Sequence, residues 1–82
     1  MGKYTPLTDW LRKQPGKSVT LSFDQIEQII GDSLPPNTQK YLAGWDNTLG
    51  NPLNDAFLNA GWETVMVDLE NKKVKFQRIK GV

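Results

Sequence analysis

The segment that most constrains this chain is residues 51–79, NPLNDAFLNAGWETVMVDLENKKVKFQRI, and within it the hinge Ala60-Gly61-Trp62. Before the hinge, Leu53, Ala56, Phe57 and Ala60 recur at the spacing of one helical face. After it, two β-rich runs, Val65 to Leu69 and Val74 to Ile79, flank the turn-forming Glu70-Asn71-Lys72. Glycine accepts the left-handed conformation that ends many helices. Gly61 therefore predicts a helix stop, after which Trp62 folds back over the apolar side. A helix feeding a β-hairpin through a glycine is how a winged helix presents its second DNA-facing helix and its wing.

The upstream chain supplies the partners for that unit. Thr5-Pro6 predicts a helix start with Thr5 as N-cap, Leu7, Trp10 and Leu11 on its buried face, and Pro15-Gly16 as its stop. Ser18 to Leu21 reads as a short strand with Val19 and Leu21 facing one way. Ser22 then opens a helix through a capping box with Gln25, buries Phe23, Ile26, Ile29 and Ile30, and ends at Gly31. Asp24 and Glu27 on that helix read as a solvated face rather than a catalytic pair. From Asp32 to Gly50 the pattern loosens. Leu34-Pro35-Pro36 leads into a short helix through Thr38 to Ala43, and Trp45 then sits beside a loop rich in the turn formers Asp46, Asn47, Gly50 and Asn51. Asn51 caps the last helix, which begins at Pro52.

This order predicts one α+β domain over residues 1–82, winged-helix-like. Three main helices pack on a three-stranded antiparallel sheet made of the short strand and the C-terminal hairpin. Leu11, Phe23, Ile26, Ile29, Phe57, Trp62, Val65, Val67 and Phe76 are the expected core. The insert at 32–50 is longer than the tight turn of a plain helix-turn-helix. Either the short helix within it or the last helix would be the recognition helix. Surface scaling for 9.3 kDa gives a folded area of ~5,000 Å², enough for one small core and no deep substrate cavity.

Composition narrows the chemistry. The chain has no cysteine and no histidine, which removes disulfides, thiolate and imidazole catalysis and nearly every common zinc site. No phosphate-binding glycine loop, nucleophile elbow or carboxylate metal cluster is visible, so neither an enzyme nor a cofactor or metal is expected. No apolar run reaches the length of a membrane span and no signal-peptide core follows Met1, so a cytoplasmic location is expected. Net charge is +1, but Lys72, Lys73, Lys75, Arg78 and Lys80 put five bases in the last eleven residues with no acid after Glu70. A basic end on a neutral body suits a nucleic-acid backbone; it also suits a lysine-protected edge strand.

The residues also resemble a known family. Leu21-Ser22-Phe23, Ile26-Glu27-Gln28-Ile29-Ile30-Gly31, Leu34-Pro35-Pro36, Trp45-Asp46-Asn47, Ala60-Gly61-Trp62, Val67-Asp68-Leu69 and Val74-Lys75-Phe76 look like a small bacterial and phage domain of unknown function. Its members carry an LTF-x-EIE-x-ILG-x-x-LPP segment, a WW-x-N segment, an AGW and a VDL hairpin. The resemblance covers roughly residues 4 to 79 and implies no activity. Gly44 stands where the first tryptophan of the pair belongs.

Two functions are expected from these features. The first is a non-catalytic nucleic-acid-binding module, with duplex DNA as the partner. Lys72, Lys73, Lys75 and Arg78 neutralise phosphates, Lys40, Tyr41, Trp45 and Asn47 supply cation, stacking and amide contacts, and Asn54 reaches a base edge. The second is a small protein-interaction domain, such as a phage-encoded inhibitor of a host defence or regulatory protein.

Overall fold

The computed structural model describes residues 2–79. Its elements run α1 (Thr5–Arg12), β1 (Ser18–Ser22), α2 (Phe23–Ile30), α3 (Pro36–Lys40), a 3₁₀ turn (Leu42–Trp45), α4 (Pro52–Asn59), β2 (Trp62–Asp68) and β3 (Lys73–Arg78). The strands form one antiparallel sheet in the order β1-β3-β2, so the last strand lies in the middle. The class is α+β, and the short strand pairs with the C-terminal hairpin as its sequence predicts.

Local chemistry sets most boundaries. Ser22 Oγ accepts from the Gln25 backbone N–H at 3.0 Å and Gln25 Oε1 accepts from the Ser22 N–H at 2.8 Å, which closes the capping box that opens α2. Gly31 closes the helix at φ +71. Asn51 Oδ1 accepts from the Leu53 and Asn54 N–H groups at the start of α4. Gly61, at φ +85, makes the left-handed step from α4 into β2. The start of α1 departs from expectation. Thr5 lies inside the helix, Tyr4 is the N-cap residue without a side-chain cap, and the Thr5 hydroxyl instead accepts from the Gly2 N–H at 3.1 Å.

One face of the sheet carries Leu21, Trp62, Val74 and Phe76 into the core against Leu7, Leu11, Phe23, Ile26, Leu53 and Phe57. Phe57 and Phe76 meet edge to face, with centroids 5.4 Å apart. The other face is open to solvent and presents Ser18, Thr20, Lys73, Lys75 and Gln77.

Three expectations about packing need correction. Val65 is 47% exposed rather than core. Thr64 pairs with Phe76 and Met66 with Lys75, so Val65 is the extra residue of a β-bulge. Alternation from the inward Trp62 and Thr64 already turns Val65 outward. The bulge then reverses the parity, so Met66 faces out with Lys75 and Val67 turns inward opposite Val74. Ile29 and Val67 are half-buried at the margin of the core. The helix expected through Ala43 ends at Lys40, because Tyr41 adopts an extended conformation (φ −129, ψ 138) before the 3₁₀ turn begins.

Candidate functional site

The hairpin places its bases unequally. On β3 the burial alternates, so Lys73 and Lys75 point outward while Val74 and Phe76 point in. Lys72 sits in the turn at φ +57, and its carbonyl accepts from the Phe23 N–H at 2.8 Å. The tip of the hairpin is thereby docked on the first turn of α2. Asp68 braces the same turn: its carboxylate accepts from the Asn71 backbone N–H at 3.0 Å and side-chain amide at 2.8 Å. The side-chain amide of Asn71 is the main reason that the Asp68 pKa lies below the ordinary carboxylate range, and its backbone N–H adds to the effect.

Arg78 does not belong with these lysines. It falls on the inward parity of β3, its Nε donates to the Gly16 carbonyl at 3.1 Å, and its Nη2 donates to the Gln14 carbonyl at 2.7 Å. Its guanidinium carbon also lies 4.6 Å from the centroid of the Trp62 ring. Arg78 fastens the α1–β1 corner to the last strand. As a phosphate ligand it is corrected to a structural residue. Lys80 lies outside the described residues.

The remaining expected readers divide between surface and interior. Lys40 is exposed and Tyr41 is 63% exposed, at the corner between α3 and the 3₁₀ turn. Trp45 is 2% exposed. It stacks on Phe23 at 5.4 Å, and its indole N–H donates to the Thr38 carbonyl at 2.8 Å. Its expected role in base stacking is corrected to that of a core anchor, because an indole with its one donor satisfied belongs inside. Asn54 is also 2% exposed, so it reaches no base edge. Its Oδ1 is buried without a partner. Asn47 is exposed, but its side chain is engaged: Nδ2 donates to the Thr64 carbonyl and Oδ1 accepts from the Thr64 N–H, both at 2.8 Å. The carboxamide thus imitates a strand on the edge of β2. The Thr64 hydroxyl donates to the Trp45 carbonyl at 2.7 Å and completes the clamp.

The pattern of residues did not reveal which apolar side chains stay outside the core. Among the described residues, the exposed large apolar side chains are Tyr41, Leu42, Leu49, Val65 and Met66. All five lie either on the 32–50 insert or on β2, the strand to which Asn47 ties it. Leu42 and Leu49 stand in a stretch read as short helix and polar loop, and Met66 faces outward only through the bulge.

Two surface depressions lie elsewhere. One of about 250 Å³ is bounded by Lys3, Tyr4, Thr8, Asp55 and Asn59 along the α1–α4 seam. The other, about 410 Å³ and open, runs along Asp24, Glu27 and Asp32 on α2. In it Glu27 accepts from the Leu34 N–H at 2.8 Å, and Asp32 accepts from Ser33 and pairs with Lys3 at 3.4 Å. These carboxylates hold the chain around Gly31 together. Among the described residues, no group of three or more acidic side chains could hold a metal ion, and no helix is long and apolar enough to cross a membrane.

Comparison with curated proteins and with solved structures returned no match. A family model does match, over residues 4–79, and its description is Domain of unknown function (DUF7662). The match spans the elements from the turn before α1 to the end of β3, and the chain belongs to this family.

Proposed function

We propose that the domain is a non-catalytic binding module whose principal partner is a protein, held on the surface formed by Tyr41, Leu42, Leu49, Val65 and Met66. The observation that carries this reading is that, among the described residues, every exposed large apolar side chain lies on the insert or on the strand it clamps. Scattered exposed apolar residues are ordinary; a set gathered on two segments joined by side-chain hydrogen bonds is what an interface looks like before its partner arrives. Tyr41 adds the residue type that most often anchors such contacts.

Apart from α3 and the 3₁₀ turn, the order of helices and strands, with the last strand central, resembles a winged helix, and on that reading α4 would be the recognition helix. Four of its eight residues (Leu53, Asn54, Ala56 and Phe57) are buried. What it offers to solvent is Pro52, Asn59 and partly Asp55 and Leu58, an acid and no base. A fold shared with DNA readers does not bring their function with it. The polarity of α4 argues against a base-reading helix and in favour of the apolar surface.

The test is affinity capture from a nuclease-treated lysate, comparing wild type with a Leu42→Asp/Met66→Asp variant. Both side chains are exposed, so the variant is expected to keep its stability within about 0.5 kcal/mol. It is expected to lose a protein that wild type retains. Identical captured proteins for both, or loss of every partner on nuclease treatment, refutes the reading.

A further inference from the structure

We infer that the outward face of the β1–β3 pair binds the phosphate backbone of a nucleic acid without reading its bases. This goes beyond the protein-binding surface and does not depend on it. β3 is the central strand, so its outward side chains form the midline of the open sheet face. Lys73 and Lys75 are two residues apart on that midline, about 6.8 Å along a strand. Lys72 extends the row at the hairpin turn. Lys17 is not part of the row: its carbonyl accepts from the Arg78 N–H at 2.8 Å, opposite a residue of inward parity. All three lysines are exposed, and none of them makes an ion pair among the described residues; the Asp68 carboxylate across from Lys73 feels its charge but is held by Asn71.

The neighbours of this row fit a polyanion on one side only. On β1, Ser18 stands opposite Gln77 and Thr20 opposite Lys75, and both are exposed. Hydroxyls and amides of this kind make phosphate contacts that position a backbone. Neither β1 nor β3 carries an acid. On the β2 side, Glu63 stands opposite Gln77 and Asp68 opposite Lys73. A phosphate chain is therefore directed over β1 and β3, away from β2 and its apolar residues. The side chains that could have read bases are absent from this face. Trp45 and Asn54 are buried, and Asn47 and Arg78 are engaged in holding the fold. What is left is an electrostatic track, and its affinity depends on salt and hardly on sequence.

The experiment is fluorescence anisotropy with a short DNA duplex of mixed sequence and an oligo(dT) strand, over a series of salt concentrations. Two to three phosphate contacts give a log–log slope of about −1.8 to −2.7 on duplex. Lys73→Gln/Lys75→Gln is expected to flatten that slope by about 1.8 and to weaken binding tens of fold at ~0.1 M salt. A Lys3→Gln/Lys13→Gln variant makes the same change in net charge away from the track and is expected to leave the slope near the wild-type value. Thermal melts of both variants check that the fold is intact. Absence of binding to either probe at low salt overturns the inference. So does equal flattening by the two double variants, which would make net charge and not this face the cause. Binding to phosphatidylserine vesicles with none to the oligonucleotides overturns it in favour of a membrane surface.

Discussion

A missing Cβ at Gly44 determines how tightly the insert closes. A β-carbon built there lies 2.8 Å from the Thr38 Cα and 3.1 Å from its Cγ2, closer than non-bonded carbons approach. The Thr38 carbonyl meanwhile accepts from the Trp45 indole, so the two sides of this corner are drawn together. Gly44→Ala is expected to destabilise by about 1–3 kcal/mol through overpacking, read as a lowered denaturation midpoint with unchanged slope. An unchanged midpoint would mean that the corner yields freely. Asn54 is the opposite case, a polar side chain buried with an unpaired oxygen. Neither residue announces its environment: Gly44 resembles any turn glycine, and Asn54 lies at a position where a short helix ordinarily shows a polar side chain to water.

The hairpin combines a strand that sequence describes well with one that it misreads. β3 alternates without interruption, and its outward lysines are found by counting in twos. β2 contains the bulge at Val65, and one inserted residue reverses the parity of the strand beyond it. Its free edge is closed at Thr64 by the Asn47 carboxamide, which bonds both the N–H and the carbonyl of that residue. The turn that joins the strands has a titratable brace. The folded pKa of Asp68 lies below its unfolded value, so the unfolded chain binds more protons as the pH falls. The stability this group contributes is full above the unfolded value of about 3.9 and is lost as the pH falls through the lower folded value. Asp68→Asn is expected to flatten that part of the stability–pH curve when urea melts are compared near neutrality and at acid pH. Superimposable curves for the two proteins would show that the brace contributes nothing.

Across the whole molecule, Arg78 adds a side-chain tie to the pairing of β1 with β3. It spans the last strand and the α1–β1 corner with two charge-assisted hydrogen bonds and a ring contact. Arg78→Ala is expected to cost about 1–3 kcal/mol, and Arg78→Lys is not expected to restore it, because an ammonium cannot reproduce the fork over two carbonyls and an indole face. Chemical denaturation of both variants checks this. Equal stability of Arg78→Lys and wild type would reduce the role of Arg78 to simple charge. The folded surface of 5117 Å² agrees with the area expected from chain mass, as a chain with one core and no deep cavity requires.

The sequence by itself determined the features that depend on neighbours within a few positions. The capping box of α2, the asparagine cap of α4, the glycine stop before Trp62, the alternation of β3 and the family's span are all local patterns. Their order sets the α+β class. Only the tertiary structure decided which polar and aromatic side chains remained available to a partner. Trp45 found Phe23 and Thr38, Asn47 found Thr64, and Arg78 found Gln14, Gly16 and Trp62. Each of these residues can serve a ligand or the fold. That choice is made by whichever donor or ring the folded chain brings within reach, from up to 64 positions away.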